Sequence, residues 1–416
     1  MSAPISQERT KQMKIAIMGY GTVGSGVAEV LKTNHERIVA NSMQDELELA
    51  KILDLREFPG DEYEQLVTHD FNDILNDPEI RIVVECMGGL RPAYDFVKSL
   101  LLAGKHVVTS NKELVAEKGF ELLTTAAEKN VNFLFEASVG GGIPVIRPIS
   151  QCLAANEIEE VAGILNGTTN FILAKMIDDG LSFEEALALA SSLGYAEANP
   201  AADIEGTDAC RKICILASLC FGSHVYPQSV STEGITKITL ADVECAKAIG
   251  GVIKLIASAK RTDDGKISVS VAPSVVRNAC LLSGVNDVFN AVLVRGNVLG
   301  DAVFYGRGAG KLPTASAVVA DVIDCAKHDR RRKLLGWGAP VDGFVADAND
   351  AKYSYLIRLK ASFEDANKAF GSIEKVTYPG QSADETAFIS DPMSRKELDA
   401  LLGQFDSASA VRITDY

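Results

Sequence analysis

The stretch 195-YAEANPAADIEGTDACRKICILA-217 is dense in carboxylates: Glu197, Asp203, Glu205 and Asp208 precede Lys212, which heads an apolar run. On a helix, Asp208 and Lys212 share one face because they are four residues apart. One reading of that spacing is a partly buried ammonium held by a carboxylate. The other is a surface ion pair worth a few tenths of a kcal/mol. A second lysine stands out in 106-HVVTSNKELVAEKG-119, where Lys112 follows a strand-like run and Asn111. Surface lysines are common, so this position is informative only if the run before it is a sheet strand with a crevice at its end. Two lysines and a group of carboxylates suit a small substrate carrying an ammonium group. They also suit a reaction that moves a proton on and off an oxygen.

A partner for that proton chemistry is suggested near the N-terminus. In 15-IAIMGYGTVGSG-26 an apolar run stops in Gly19-x-Gly21-x-x-Gly24, and 25-SGVAEVLK-32 continues as an apolar helix. In a strand-turn-helix setting the first glycine makes the turn and the second lets a pyrophosphate approach the backbone. The third allows close helix-sheet packing, and the helix N-terminus offers N–H groups and a positive dipole. A dinucleotide that exchanges hydride would complement a protein that handles the proton. The run 49-LAKILD-54 ends in Asp54, placed to accept hydrogen bonds from an adenosine ribose diol, which favours NAD. Arg56 could instead meet a 2′-phosphate, so NADP stays open. The gap from Gly19 to Asp54 is longer than usual, and 34–48 must be an insertion or a long helix. Gly88 and Gly89, in 84-VECMGGL-90, end another strand-like run where a cofactor could pass close to the backbone.

These residues need a scaffold. Up to about residue 150, strand-length runs near 14–18, 49–53, 81–84, 106–109 and 132–135 alternate with helix-like segments at 25–33, 92–103 and 113–129. That alternation predicts an α/β domain with a Rossmann-type parallel sheet, spanning 1–150. From 151 to 313 the pattern changes to α+β. The stretch 182-SFEEALALASSLGYA-196 carries a capping box, a helix is expected over about 207–219, and 266–276 and 291–306 alternate as antiparallel strands. A helix near 314–327 returns to the first domain. A basic, Gly/Pro-containing linker over 327–345 leads to a small α+β unit at 345–416.

The bulk composition sets outer limits. The chain has 416 residues, 47% of them apolar, and a net charge of −15. Nucleic acids and anionic membranes need basic patches, so neither is expected as a partner. No 18-residue apolar window or signal core is present, and eight scattered cysteines without a Cys-x-x-Cys read as reduced, buried thiols. Both point to the cytoplasm. A nucleophilic cysteine is not evident. Cys86, at the carboxyl edge of a strand, lacks a marked histidine partner.

The motifs Gly19-x-Gly21-x-x-Gly24, 108-VTSNKELVA-116, 135-FEASVGGGIP-144, 166-NGTTNFIL-173, 203-DIEGTDACRK-212 and 306-GRGAGKLPTASAVVAD-321 occur in one order over about 13–325. In them the chain resembles homoserine dehydrogenase, the NAD(P)-dependent family that interconverts L-homoserine and L-aspartate 4-semialdehyde in the threonine, methionine and isoleucine pathway. The resemblance implies that Lys212 is the proton donor and acceptor, with Lys112 beside the nicotinamide and the reacting oxygen. It implies that Glu197 holds the substrate amino group, that Asp203 and Asp208 line the same pocket, and that Thr168 and Thr169 lie where that pocket meets the cofactor cleft. Cofactor contacts are implied for Gly19, Gly21, Thr22, Val23, Gly24, Asp54, Arg56, Gly88, Lys112 and Gly310. Oxygens of Glu136, Val139, Gly141 and Ile143 match a sodium-binding loop, though a plain turn would have the same composition. A homodimer or homotetramer is expected, built through the substrate domain.

The tail resembles an ACT-type regulatory domain but lacks the Pro-Gly turn expected in 361-ASFEDANKAFG-371, so weak or absent threonine inhibition is expected. Two rival readings remain. One is a Rossmann regulator that binds NAD(H) without chemistry, which would need neither the paired lysines nor the carboxylates. The other is a different amino-acid-pathway dehydrogenase.

Overall fold

The computed structural model describes residues 12–197, 199–405 and 408–416. They form two compact units, one ending at Cys152 and regaining Ala309–Ala339, the other made of Leu153–Gly308 and Pro340–Tyr416.

The first unit carries a six-stranded parallel sheet. Its strands are β1 (Met13–Met18), β2 (Leu47–Leu53), β3 (Val67–Thr68), β4 (Ile80–Glu85), β5 (His106–Thr109) and β6 (Phe133–Leu134), in the order β3-β2-β1-β4-β5-β6. This is the doubly wound dinucleotide-binding order, with its switch point between β1 and β4. Nearly every residue of β1 and β4 is buried, as apolar strands covered on both faces require. Helices α1 (Thr22–Thr33), α2 (His35–Ser42), α3 (Asn72–Leu75), α4 (Ala93–Leu102) and α5 (Lys112–Glu128) connect the strands. The extra length between Gly19 and Asp54 is thus a second short helix, α2, which ends on a left-handed Met43.

The second unit contains helices α6 (Gly167–Asp178), α7 (Phe183–Ser192), α8 (Ala201–Ile204), α9 (Thr207–Phe221) and α10 (Leu240–Ala248). Its larger sheet is built from β7 (Ile158–Ile164), β8 (Ser231–Thr232), β9 (Gly251–Arg261), β10 (Ile267–Arg277), β11 (Phe289–Gly296) and β12 (Gly300–Arg307). The predicted capping box at Ser182 and Glu185 starts α7. The segments 266–276 and 291–306 are antiparallel strands as expected. However, β10 pairs with β9 and β11 with β12, so they belong to two separate hairpins.

Helix α11 (Lys311–Lys327) belongs to the first unit. Its Ala315, Val318 and Val322 join Ile15, Ile17, Val84 and Val108 in one core. The expected return of this helix is therefore observed, three residues earlier than the pattern indicated.

The tail alternates strands and helices. It contains β13 (Lys352–Tyr353), β14 (Tyr355–Leu359), α12 (Phe363–Phe370), β15 (Ile373–Val376), β16 (Thr386–Ser390), β17 (Met393–Ser394), α13 (Arg395–Leu402) and β18 (Ala408–Thr414). Strands β13 and β17 pair with each other, and the remaining tail strands continue the second unit's sheet, in the order β12-β11-β7-β9-β10-β18-β14-β16-β15. The junction is parallel pairing of Ser274–Val276 with Arg412–Thr414. Side chains reinforce it, since the buried Arg412 donates to Ser270 Oγ, Ser274 Oγ and the Ile256 carbonyl. Strand β15 escapes the sequence reading because 373-IEKV-376 is half charged and mostly exposed.

Candidate active site

Two glycines of the first turn are sterically required. Gly19 has φ +90°, and a β-carbon there would sit 2.9 Å from the Cys86 carbonyl at the end of β4. A β-carbon at Gly24 would lie 1.9 Å from the Gly19 oxygen, so only glycine lets α1 start so close to β1. At Gly21 a β-carbon would meet nothing within 4 Å, which leaves open space at the helix mouth. Thr22 and Val23 form the first turn of α1, which carries no acidic residue to cancel the N-terminal dipole. The turn therefore fits a dinucleotide pyrophosphate. Gly310 caps α11, and the Lys311 carbonyl beside it lies where a β-carbon on Gly26 would come within 2.9 Å. That packing brings Gly310 to the first turns of α1.

Asp54 follows β2. Its carboxylate accepts from the Tyr20 backbone N–H at 2.7 Å and from Arg56 Nε and Nη2, both at 2.9 Å. Hydrogen bonds from Arg56 hold this carboxyl well below the usual range. The acid that would read a ribose diol and the base that would meet a 2′-phosphate are thus joined in one pair.

At the carboxyl ends of β4 and β5, a residue not singled out by the sequence reading organises two loops. Glu85 is fully buried and accepts from Thr109 Oγ1 at 2.5 Å, Met87 N at 2.8 Å and Gly88 N at 3.3 Å. Burial holds its carboxyl above the usual range. A lone acid ending an apolar strand was the available signal. Asn111 caps α5 by accepting from Leu114 N, and donates to the Gly89 carbonyl at 2.7 Å. Lys112 is the first residue of α5, at the carboxyl edge of the sheet, as expected. The neighbouring Cys86 thiol is pushed up to about 12 by burial, which leaves it inert as a nucleophile at neutral pH.

In the second unit the acid-lysine spacing becomes a buried cluster. Asp208 and Lys212, on α9, are both buried, and Lys212 Nζ lies 2.8 Å from Asp208 Oδ2. The same ammonium donates to the Leu165 carbonyl, just past β7, at 2.7 Å. The surface-pair reading is thereby excluded.

Asn166 completes the cluster. Its Oδ1 accepts from Thr169 N and caps α6, while its Nδ2 donates to Asp203 Oδ1 at 2.7 Å and to Asp208 Oδ2 at 2.9 Å. One amide therefore ties two predicted substrate carboxylates to a helix start. The sequence signal was an asparagine at the N-cap position of 166-NGTTN-170. Thr168 and Glu197 lie outside this network. Thr168 donates its hydroxyl to the Tyr195 carbonyl at 2.7 Å, and Glu197 is exposed in the segment before α8.

The loop expected to bind sodium folds around its own acid. Glu136 is buried, and its carboxylate accepts from the N–H groups of Val145, Ile146 and Arg147 at 2.6, 2.8 and 2.8 Å. Val139, Gly141 and Ile143 are buried in the intervening loop. Among the described residues no group of three or more His, Cys, Asp or Glu side chains is arranged to hold a metal ion.

Residues 144–323 match the homoserine dehydrogenase family, and residues 19–136 match that family's NAD-binding domain. Homoserine dehydrogenase of Pseudomonas aeruginosa is 45% identical over 318 residues, covering 76% of this chain and 73% of the relative. The chain belongs to the homoserine dehydrogenase family. Homoserine dehydrogenase of Bacillus subtilis is 40% identical over 329 residues, covering 77% of this chain and 74% of the relative. The crystal structure of a homoserine dehydrogenase from Thiobacillus denitrificans aligns with a TM-score of 0.89 at 35% identity, over 97% of this chain and 99% of that one. A hyperthermophilic archaeal homoserine dehydrogenase in complex with NADPH aligns with a TM-score of 0.65 at 29% identity, over 76% and 97% of the two chains. The chain is accordingly an NAD(P)-dependent oxidoreductase that interconverts L-homoserine and L-aspartate 4-semialdehyde. Among the described residues no helix is long and apolar enough to cross a membrane.

Proposed function

We propose that Lys212 is the group that takes the homoserine hydroxyl proton and returns it in the reverse reaction. The observation carrying this is its buried position between Asp208 Oδ2 and the Leu165 carbonyl, which fixes the ammonium on a side chain that is otherwise long and mobile. Asp208 and Asn166 orient the lysine. Glu197 holds the substrate ammonium, and Asp203 and Thr168 border the same pocket. The nicotinamide cofactor, when bound, supplies the hydride acceptor. Gly19, Gly21, Thr22, Val23, Gly24, Gly88 and Gly310 give it a backbone cradle, with Lys112 near its reacting end.

NAD is preferred, because Asp54 presents a carboxylate where NADP carries a 2′-phosphate. The oxygens offered to a sodium ion are main-chain carbonyls of Glu136, Val139, Gly141 and Ile143, since the Glu136 carboxylate already takes three N–H groups. The working enzyme is a cytoplasmic homodimer joined through the second unit, and its tail is a degenerate ACT-type module.

The deciding experiment is steady-state oxidation of homoserine by Lys212→Ala. Removing a general acid-base group costs on the order of 10²–10⁴-fold in rate. A variant that keeps more than about a tenth of wild-type kcat, with unchanged nucleotide affinity, would reduce Lys212 to a structural partner of Asp208.

A further inference from the structure

A cavity of about 360 Å³ lies within the second unit, between β8 and β10 on one side and the tail's α13 and β18 on the other. Three cations, Lys237, Arg395 and Arg412, line it against two carboxylates, Glu233 and Asp399. Both carboxylates are already engaged by Arg395, whose Nη1 lies 3.0 Å from Glu233 and whose Nε lies 2.8 Å from Asp399.

Arg412 is different. It is buried, stacks over the Tyr353 ring, and has no carboxylate within ion-pair distance among the described residues. Three of its five N–H groups donate to Ser274 Oγ, Ser270 Oγ and the Ile256 carbonyl, all neutral acceptors. A buried charge without a counter-charge is costly unless something pairs with it.

We propose that this cavity binds a small organic carboxylate on Arg412. A guanidinium fork matches a carboxylate in geometry and charge. The cavity has the volume of a small-metabolite site. Thr232, Ser268 and Ser270 add hydroxyls for a polar ligand body, and Lys237 at the rim adds attraction. The wall of the cavity also backs the catalytic turn. Thr232 and Val271 pack where a β-carbon on Gly206 would fall, at 3.1 and 3.3 Å, and Ile235 N donates to the Ile204 carbonyl at 2.8 Å. That turn joins Asp203 to Asp208.

The test is calorimetric titration of the full chain with sodium succinate, with sodium chloride at matched ionic strength as control. The expected result is saturable binding that Arg412→Gln abolishes and that Lys237→Glu, a change at an exposed position, weakens by about tenfold. Lys212→Ala keeps the binding, which separates this cavity from the homoserine pocket. Absence of saturable binding, or binding unchanged in both Arg412→Gln and Lys237→Glu, overturns the proposal. Inorganic phosphate bound as tightly as succinate would overturn the assignment to carboxylates.

Discussion

Lys212 and Asp54 show how one side chain's neighbours set its use. Asp208 and the Leu165 carbonyl hold the Lys212 ammonium from two sides. A guanidinium is planar and does not lose its proton in proteins. Lys212→Arg should therefore be as inactive as Lys212→Ala while still binding the nucleotide, a comparison read by kcat beside nucleotide Kd. Substantial activity in the arginine variant would rule out proton transfer by this residue. Asp54 is paired with Arg56, so its charge opposes a 2′-phosphate while the arginine would welcome one. Asp54→Ser frees Arg56 and removes the repulsion. It should move the NAD/NADP ratio of kcat/KM towards NADP, and an unchanged ratio would show that Asp54 does not read the ribose.

At the scale of elements, the second unit ties its helices to its sheet with buried polar groups. Lys254, on β9, is fully buried and donates to the Val285 carbonyl at 2.6 Å, Asn286 Oδ1 at 3.0 Å and Asn170 Oδ1 at 3.3 Å. Asn170 lies on α6, the helix that Asn166 caps. Burial lowers Lys254 from 10.5 to about 8. A folded-state pKa below the unfolded one means that folding disfavours the proton. The resulting penalty is absent above the unfolded pKa, grows as pH falls from 10.5 to about 8, and is constant below that. A tenfold loss of proton affinity corresponds to about 1.4 kcal/mol. Urea midpoints of wild type and Lys254→Met should therefore diverge in favour of wild type as pH rises through this window. A difference independent of pH would show that Lys254 titrates at its ordinary value.

For the whole molecule, the tail's place in the sheet has consequences for truncation and regulation. A chain ended at Pro340 loses β14, β15, β16 and β18, and uncovers the edge of β10 at Ser274–Val276. Bare strand edges recruit other chains, so this truncation should lower solubility, measured by sedimentation of the expressed protein. A fully soluble, active product would show that the sheet does not need its extension. Ser362 caps α12 directly after β14, without the Pro-Gly turn. Threonine should accordingly inhibit weakly, and strong inhibition at sub-millimolar threonine would show an intact effector site. At the other end of the sheet, β12 is an exposed edge strand bearing Val303 and Tyr305, with Val298 and Leu299 exposed beside it. A second copy should cover this surface in a homodimer, and a monomeric mass by light scattering at micromolar concentration would contradict that expectation.

The sequence by itself determined what local rules govern. The Gly-x-Gly-x-x-Gly turn, the strand periodicity up to residue 150, the Ser182 capping box and the Asp208–Lys212 spacing are each set by neighbours within a few residues. They are readable for that reason, and the motif order carried the family. Tertiary structure decided what depends on residues far apart in the chain. Asn166 meets Asp203 and Asp208 only because folding brings the start of α6 to α8 and to the first turn of α9. Glu85 becomes a buried hub only because β4 lies beside β5. The tail becomes part of the second sheet because Arg412 finds Ser270 and Ser274 on β10. A single polar letter gives no periodic signal. Its partner lies dozens to more than a hundred residues away, so only folding the chain reveals which polar residues are buried and what satisfies them.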